Sequence, residues 1–120
     1  MKAAIQRIIE RAEGYLMLDM AGEAWAALDE LPFPARHLPR VLKLRLEALC
    51  HEKQWDCMRI LAAGMLKAKP QWAFAWLALA RATAQMGRMT QARLSLARAV
   101  ELNSGLKMRA VEDPLLAEVW

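Results

Sequence analysis

The sequence predicts an all-α protein of about seven helices, and three observations carry that expectation. Alanine and leucine, 23 and 19 residues, fill 42 of the 120 positions, while Val, Ile and Thr together supply ten. Ala and Leu lose little side-chain freedom in a helix, whereas strands draw on β-branched residues. Second, all five prolines (Pro32, Pro34, Pro39, Pro70 and Pro114) fall between apolar-periodic segments or at their edges. Proline is tolerated at helix starts and in turns but breaks helix interiors. Third, 57% of the residues are hydrophobic and 25% charged, a balance that excludes disorder. The length suits one domain with a real core, and no apolar run approaches the roughly 20 residues that cross a bilayer.

Each element follows from apolar spacing and punctuation. The first helix is expected near residues 3–18, with Ile5, Ile8, Ile9, Ala12, Tyr15 and Leu16 on one side. Further helices are expected near 22–31, 38–51, 55–67, 71–86 and 89–102, with a terminal segment from about 105. The short connections imply antiparallel packing of neighbours. In the terminal segment Leu106, Ala110 and Val111 are expected to face the core, and Lys107, Arg109 and Glu112 water. The Asp113 carboxylate, before Pro114, is expected to accept the free N–H groups of a last turn. Leu116 and Trp120 are expected either to fold back on the chain or to dock on another.

Internal repetition is the next feature. Residues 5–38, 39–72 and 73–106 are three blocks of 34 residues that superpose without a gap. In the first helix of each block Ile8, Leu42 and Trp76 correspond, then Ala12, Leu46 and Ala80, then Tyr15, Leu49 and Thr83. In the second helix Ala24, Met58 and Ala92 correspond, then Leu28, Ala62 and Leu96, then Leu31, Met65 and Ala99. Small residues let paired helices approach, and the large ones fill the space around them. Most of the methionines at these places read as packing.

On these residues the chain resembles a tetratricopeptide repeat protein over residues 5–106. Block three fits best, with Trp76, Leu79, Ala80, Gly87 in the turn, Ala92, Leu96 and Ala99. Block two keeps Leu42, Leu49, Trp55 and the closing Pro70, but has Arg45 where Leu is usual, and Met58 and Met65. Block one keeps Ala12, Tyr15, Ala24 and Leu28, with Asp19 in place of the turn glycine. The resemblance implies a single domain over residues 1–120. It would be a right-handed superhelical array of antiparallel helix pairs with residues 107–120 as a C-terminal cap.

Little in the sequence speaks for catalysis or a cofactor. Cys50-His51 is the one adjacent nucleophile–base pair, but neighbours on a helix do not face each other, and no Asp or Asn is evidently placed to orient His51. Cys50, His51 and Cys57 lack a fourth ligand and metal-site spacing. The five glycines stand singly, so no phosphate loop is present. No enzyme activity, metal or cofactor is expected. Two cysteines are too few for a disulfide framework, and Arg7, Glu10 and Arg11 break up any secretory signal, which points to the cytoplasm.

The net charge is +4, carried unevenly. Residues 5–38 hold three basic against six acidic residues, 39–72 seven against three, and 73–106 four against one. Arg88, Arg93 and Arg98 are expected on the outer face. The resemblance implies a concave groove lined by the first helix of each block. The places carried over are Gln6, Ile9, Glu13 and Met17 from the first block. The second supplies Arg40, Lys43, Glu47 and His51, and the third Phe74, Leu77, Arg81 and Gln85. Ile9 and Glu13 stand where relatives that grip a peptide carboxylate carry Lys and Asn, so a two-carboxylate clamp is not expected. Arg40, Lys43 and Arg81 as cations, with Ile9, Phe74 and Leu77 as apolar anchors, suit a peptide or helix with acidic and apolar residues. An adaptor-like protein-interaction module is the function implied. Self-assembly through Trp72, Phe74, Leu116 or Trp120 is one alternative. Nucleic-acid binding is a second, weakened by Glu13 and Glu47 in the groove and by few stacking residues.

Overall fold

In the computed structural model, which describes residues 2–120, the chain forms seven α-helices and two 3₁₀ turns. No strand occurs among the described residues. The helices gather into two compact units, Met1–Gln54 and Trp55–Trp120.

The first unit contains α1 (Lys2–Met17), α2 (Ala21–Asp29) and α3 (Pro39–His51). On α1, Ile9, Ala12 and Leu16 recur at helical spacing and are buried. They meet Ala21, Ala24, Ala27 and Leu28 of α2 and Val41, Leu44 and Ala48 of α3 in one core. The connection to α3 contains a 3₁₀ turn, Phe33–His37, that the apolar spacing does not announce. Its Arg36 reaches back to the end of α2, donating from Nε to the Leu31 carbonyl (3.1 Å) and from Nη2 to the Asp29 carbonyl (2.7 Å). These carbonyls lack intrahelical partners, and a cation there also suits the helix dipole. Pro39 then opens α3 at its first position.

Arg45, the departure from Leu in the second block, is accommodated rather than expelled. Its guanidinium lies 4.4 Å from the centroid of the Trp25 ring and pairs with Asp29 at 3.0 Å. The stem is covered and the charge sits against an indole face and a carboxylate, so the residue is buried without an isolated ion.

The second unit contains α4 (Trp55–Ala68), α5 (Ala73–Gln85), α6 (Met89–Leu102) and α7 (Leu106–Glu112), then a 3₁₀ turn, Pro114–Leu116. Helix α5 packs against both α4 and α6. Its buried residues Ala75, Ala78, Ala80, Ala82, Thr83 and Ala84 lie on several sides, as a central helix requires. Thr83 satisfies its hydroxyl within the helix by donating to the Leu79 carbonyl at 2.7 Å. Leu106 and Ala110 are buried, but Val111, expected toward the core, is 55% exposed. The reason is angular: at 3.6 residues per turn Val111 lies about 140° round α7 from the buried Leu106, off the inward stripe that Leu106 and Ala110 share. Asp113 Oδ1 accepts the Leu115 N–H at 2.9 Å, closing the last turn as its sequence suggests. Leu116 is fully buried and Val119 nearly so, while Trp120 is 57% exposed.

The three interhelical turns at 14–20, 48–54 and 82–88 share one geometry. Asp19, Lys53 and Gly87, each 34 residues after the last, have φ of +58°, +56° and +78°. The amides of Met20, Gln54 and Arg88 donate to the carbonyls of Tyr15, Leu49 and Thr83 at 2.8, 2.9 and 2.9 Å. The amides of Asp19, Lys53 and Gly87 donate to Leu16, Cys50 and Ala84 at 3.0, 3.0 and 3.1 Å. Each turn thus ends its helix with a left-handed residue and two backbone bonds to the last carbonyls. The packing positions recur at the same interval. Ala24, Met58 and Ala92 are all buried, as are Leu28, Ala62 and Leu96, and Ala12, Leu46 and Ala80.

Candidate functional site

The first unit holds a cleft of about 620 Å³ between α1 and α3. On α3, Arg40, Lys43, Glu47 and His51 follow at steps of three or four residues and so share a face, with Leu44 one turn from both Arg40 and Glu47 beside them. On α1, Glu13, Leu16 and Met17 supply the opposite wall. Leu16 and Leu44 are buried and form the apolar floor, while Met17 stands 87% exposed at the lip.

Polar contacts between the elements define the cleft. Arg40 forks onto Glu13, with Nε 3.1 Å and Nη2 2.6 Å from its two carboxylate oxygens, and its Nη1 donates to Gln6 Oε1 at 3.2 Å. A bidentate guanidinium–carboxylate pair fixes orientation as well as distance. Hydrogen bonding to Glu13 raises the Arg40 pKa from its ordinary value, and neighbouring Glu10 adds to the effect. Arg40 is therefore a permanent cation. From the far end of α3, His51 Nδ1 lies 2.9 Å from Asp19 Oδ1. The expectation that no acid orients His51 is corrected here: Asp19, in the turn after α1, does so from 32 positions away.

Six of the residues carried over from the repeat pattern thus line one cleft: Glu13, Met17, Arg40, Lys43, Glu47 and His51. Gln6 joins them through Arg40. Ile9 does not line it. It is 3% exposed and belongs to the core, because its position on α1 aligns with Ala12 and Leu16 on the inward face. The two floor leucines were not singled out by the repeat pattern. They sit one turn from Glu13 and Arg40, so helical spacing marks them. Asp19 has no such local signal.

In the second unit, Phe74, Leu77, Arg81 and Gln85 lie on α5. Phe74 stacks obliquely on Trp72, with centroids 5.3 Å apart. The other three serve the chain's own C-terminal segment. Leu77 packs against the core that contains Leu116 and Val119, Arg81 pairs with Asp113 at 2.8 Å, and Gln85 Nε2 donates to the Leu115 carbonyl at 2.9 Å. Arg81 is thus a structural cation, where the sequence offered it as a ligand-facing one.

Among the described residues, no three His, Cys, Asp or Glu side chains gather as a metal-ligand set. Cys50 is half-buried and Cys57 exposed, and no disulfide joins them. No helix is long and apolar enough to cross a membrane. Comparison with protein-family models, with curated proteins and with solved structures gives no match. The class of protein defined by fold and geometry is an all-α protein built of helical hairpins.

Proposed function

We propose that the chain is a non-enzymatic protein-interaction module of the tetratricopeptide type. Three helix pairs, residues 5–38, 39–72 and 73–106, would stack as a right-handed array closed by the C-terminal segment. Support for the repeat comes from the left-handed turn residue at 19, 53 and 87 and from the burial that recurs with it. The module would act as an adaptor, taking a peptide or helix with acidic and apolar residues in the cleft between α1 and α3.

The observation that carries binding is the cleft itself. A buried apolar floor lies between walls of both charge signs, with the exposed Met17 at the lip as a flexible apolar contact. Its volume falls in the ~300–1,000 Å³ range of ligand pockets. The test is selection of peptides from a displayed random library on the intact protein, followed by fluorescence anisotropy. Selected peptides should carry acidic and apolar residues and lose about tenfold in affinity against Met17→Asp with Lys43→Glu. Equal binding to the variant would remove the cleft as the site.

A second reading, self-association through the C-terminal face, is favoured by the exposure of Met108, Val111 and Trp120. Light scattering over a wide concentration range checks it, and a constant monomeric mass would end it.

A further inference from the structure

We propose that the second unit carries a separate docking surface for an acidic, amphipathic segment of a partner protein. The surface is a cleft of about 590 Å³ that crosses α5 between α4 and α6. It is independent of the cleft between α1 and α3.

The charge of the molecule points there first. Residues 55–120 hold nine Lys and Arg against five Asp and Glu, whereas residues 1–54 hold eight of each. The whole net charge therefore belongs to the second unit, and three of its arginines converge on this cleft: Arg59 from α4, Arg88 from the turn after α5 and Arg98 from α6. No acidic side chain lines it, in contrast to the first cleft with Glu13 and Glu47. Arg59 and Arg98 pair with Asp56 (2.7 Å) and Glu101 (2.9 Å), each three residues away on its own helix. Both acids are largely exposed, and such surface pairs hold weakly. A partner carboxylate drawn into the cleft can share or replace them. Arginine keeps its charge at any physiological pH and binds carboxylates through a planar fork.

The remaining lining is uncharged, with Ala63, Trp76, Leu79 and Leu94 supplying apolar surface beside Thr83, Gln91 and Ser95. Trp76 commits its indole N–H to the Pro70 carbonyl at 2.8 Å, so it contributes carbon surface to the cleft rather than a donor. Leu79 lies beside it, and Leu94 stands 68% exposed on α6. Apolar surface from Trp76, Leu79 and Leu94 set among guanidiniums is complementary to a segment that places Leu-like side chains between carboxylates, as one face of an acidic amphipathic helix does. Single-stranded nucleic acid fits less well. It draws on several stacking platforms along a strand, and here there is one ring, flanked by aliphatic side chains.

The experiment titrates the intact protein into a fluorescein-labelled helical peptide with Leu one turn apart and Glu on the rest of that face. A peptide of equal charge with Ser for Leu, and an oligothymidylate, are run in parallel. Expected is binding of the Leu–Glu peptide that falls at least ~tenfold in Arg88→Glu with Arg98→Glu, and severalfold in Leu94→Ser. The same charge reversal outside the cleft, Lys67→Glu with Arg109→Glu, should change it less than ~twofold, as screened distant charges do. All titrations use the Met17→Asp, Lys43→Glu background, which disables the first cleft and so isolates this surface. Circular dichroism confirms that the variants are folded, and Arg98→Gln serves in place of the double reversal if that one is not. The proposal is overturned by no binding, by equal loss in both charge-reversal variants, or by equal affinity for the Ser peptide. Tighter binding of the oligothymidylate, lost in the same variants, would make this a nucleic-acid surface instead.

Discussion

The turn residues offer the sharpest test of how this chain is built. An L-residue in the left-handed region costs ~1–2 kcal/mol, and glycine escapes that cost at the expense of ~0.5–1 kcal/mol of extra freedom in the unfolded chain. At Gly87, with φ of +78°, an added Cβ meets no atom within 4 Å. Gly87→Ala therefore isolates the backbone cost from any steric clash. The left-handed penalty outweighs the gain from a stiffer unfolded chain, so we expect a destabilisation of about 1 kcal/mol, with Gly87→Asn costing less because Asn tolerates this region. Lys53 occupies the equivalent place with φ of +56° and an exposed side chain, so Lys53→Gly should stabilise by about 0.5–1 kcal/mol. Asp19→Gly should gain less, since it also forfeits the contact with His51. Denaturant unfolding followed by circular dichroism measures all of these. A neutral Gly87→Ala, or a Lys53→Gly that destabilises as glycine does inside a helix, would refute the shared turn geometry.

Other perturbations separate packing from charge. Arg45→Ala should destabilise by about 2–3 kcal/mol, less than a fully buried pair would because Asp29 is half-exposed, whereas Arg45→Met should come close to wild type; thermal melts of the two variants check the order. Leu116→Ala should cost about 2–4 kcal/mol and raise amide exchange along the exposed face of α5, because the side chain is fully buried there. Arg81→Glu should destabilise by about 2 kcal/mol by setting a carboxylate against Asp113, and chemical denaturation will show whether it acts on stability as a structural residue does. Thr83→Val should stay within ~0.5 kcal/mol of wild type in the same assay, since the hydroxyl bonds only to its own helix.

Much of the fold was readable from local pattern. Helix existence and approximate bounds follow from Ala and Leu content, proline placement and 3.6-residue spacing, which act through neighbours three and four positions apart. The spacing placed a helix at 89–102, and α6 spans Met89–Leu102. The 34-residue register likewise anticipated the burial of Ala12, Ala24, Ala62, Ala80, Ala92 and Ala99. The short 3₁₀ turn at Phe33–His37 was not readable, because five residues between prolines carry no period. The exposure of Val111 was readable, because at 3.6 residues per turn it lies about 140° round α7 from the buried Leu106.

The candidate cleft divides along the same line. Glu13, Met17, Arg40, Lys43, Glu47 and His51 share helix faces by spacing alone, and the repeat register was enough to group them. Spacing does not say which face a neighbouring helix covers. Ile9 was offered to the groove and went to the core, and Arg81 and Gln85 were offered to a ligand and went to the chain's own C-terminal segment. The pairing of Asp19 with His51, and the convergence of Arg59, Arg88 and Arg98, join residues far apart in the chain. By itself the sequence determined the helices, their repeat and the inventory of charged faces, since those depend on residues within one or two turns. Only the tertiary structure decided which faces stay open, because burial and ion pairing depend on the partner that packing brings across.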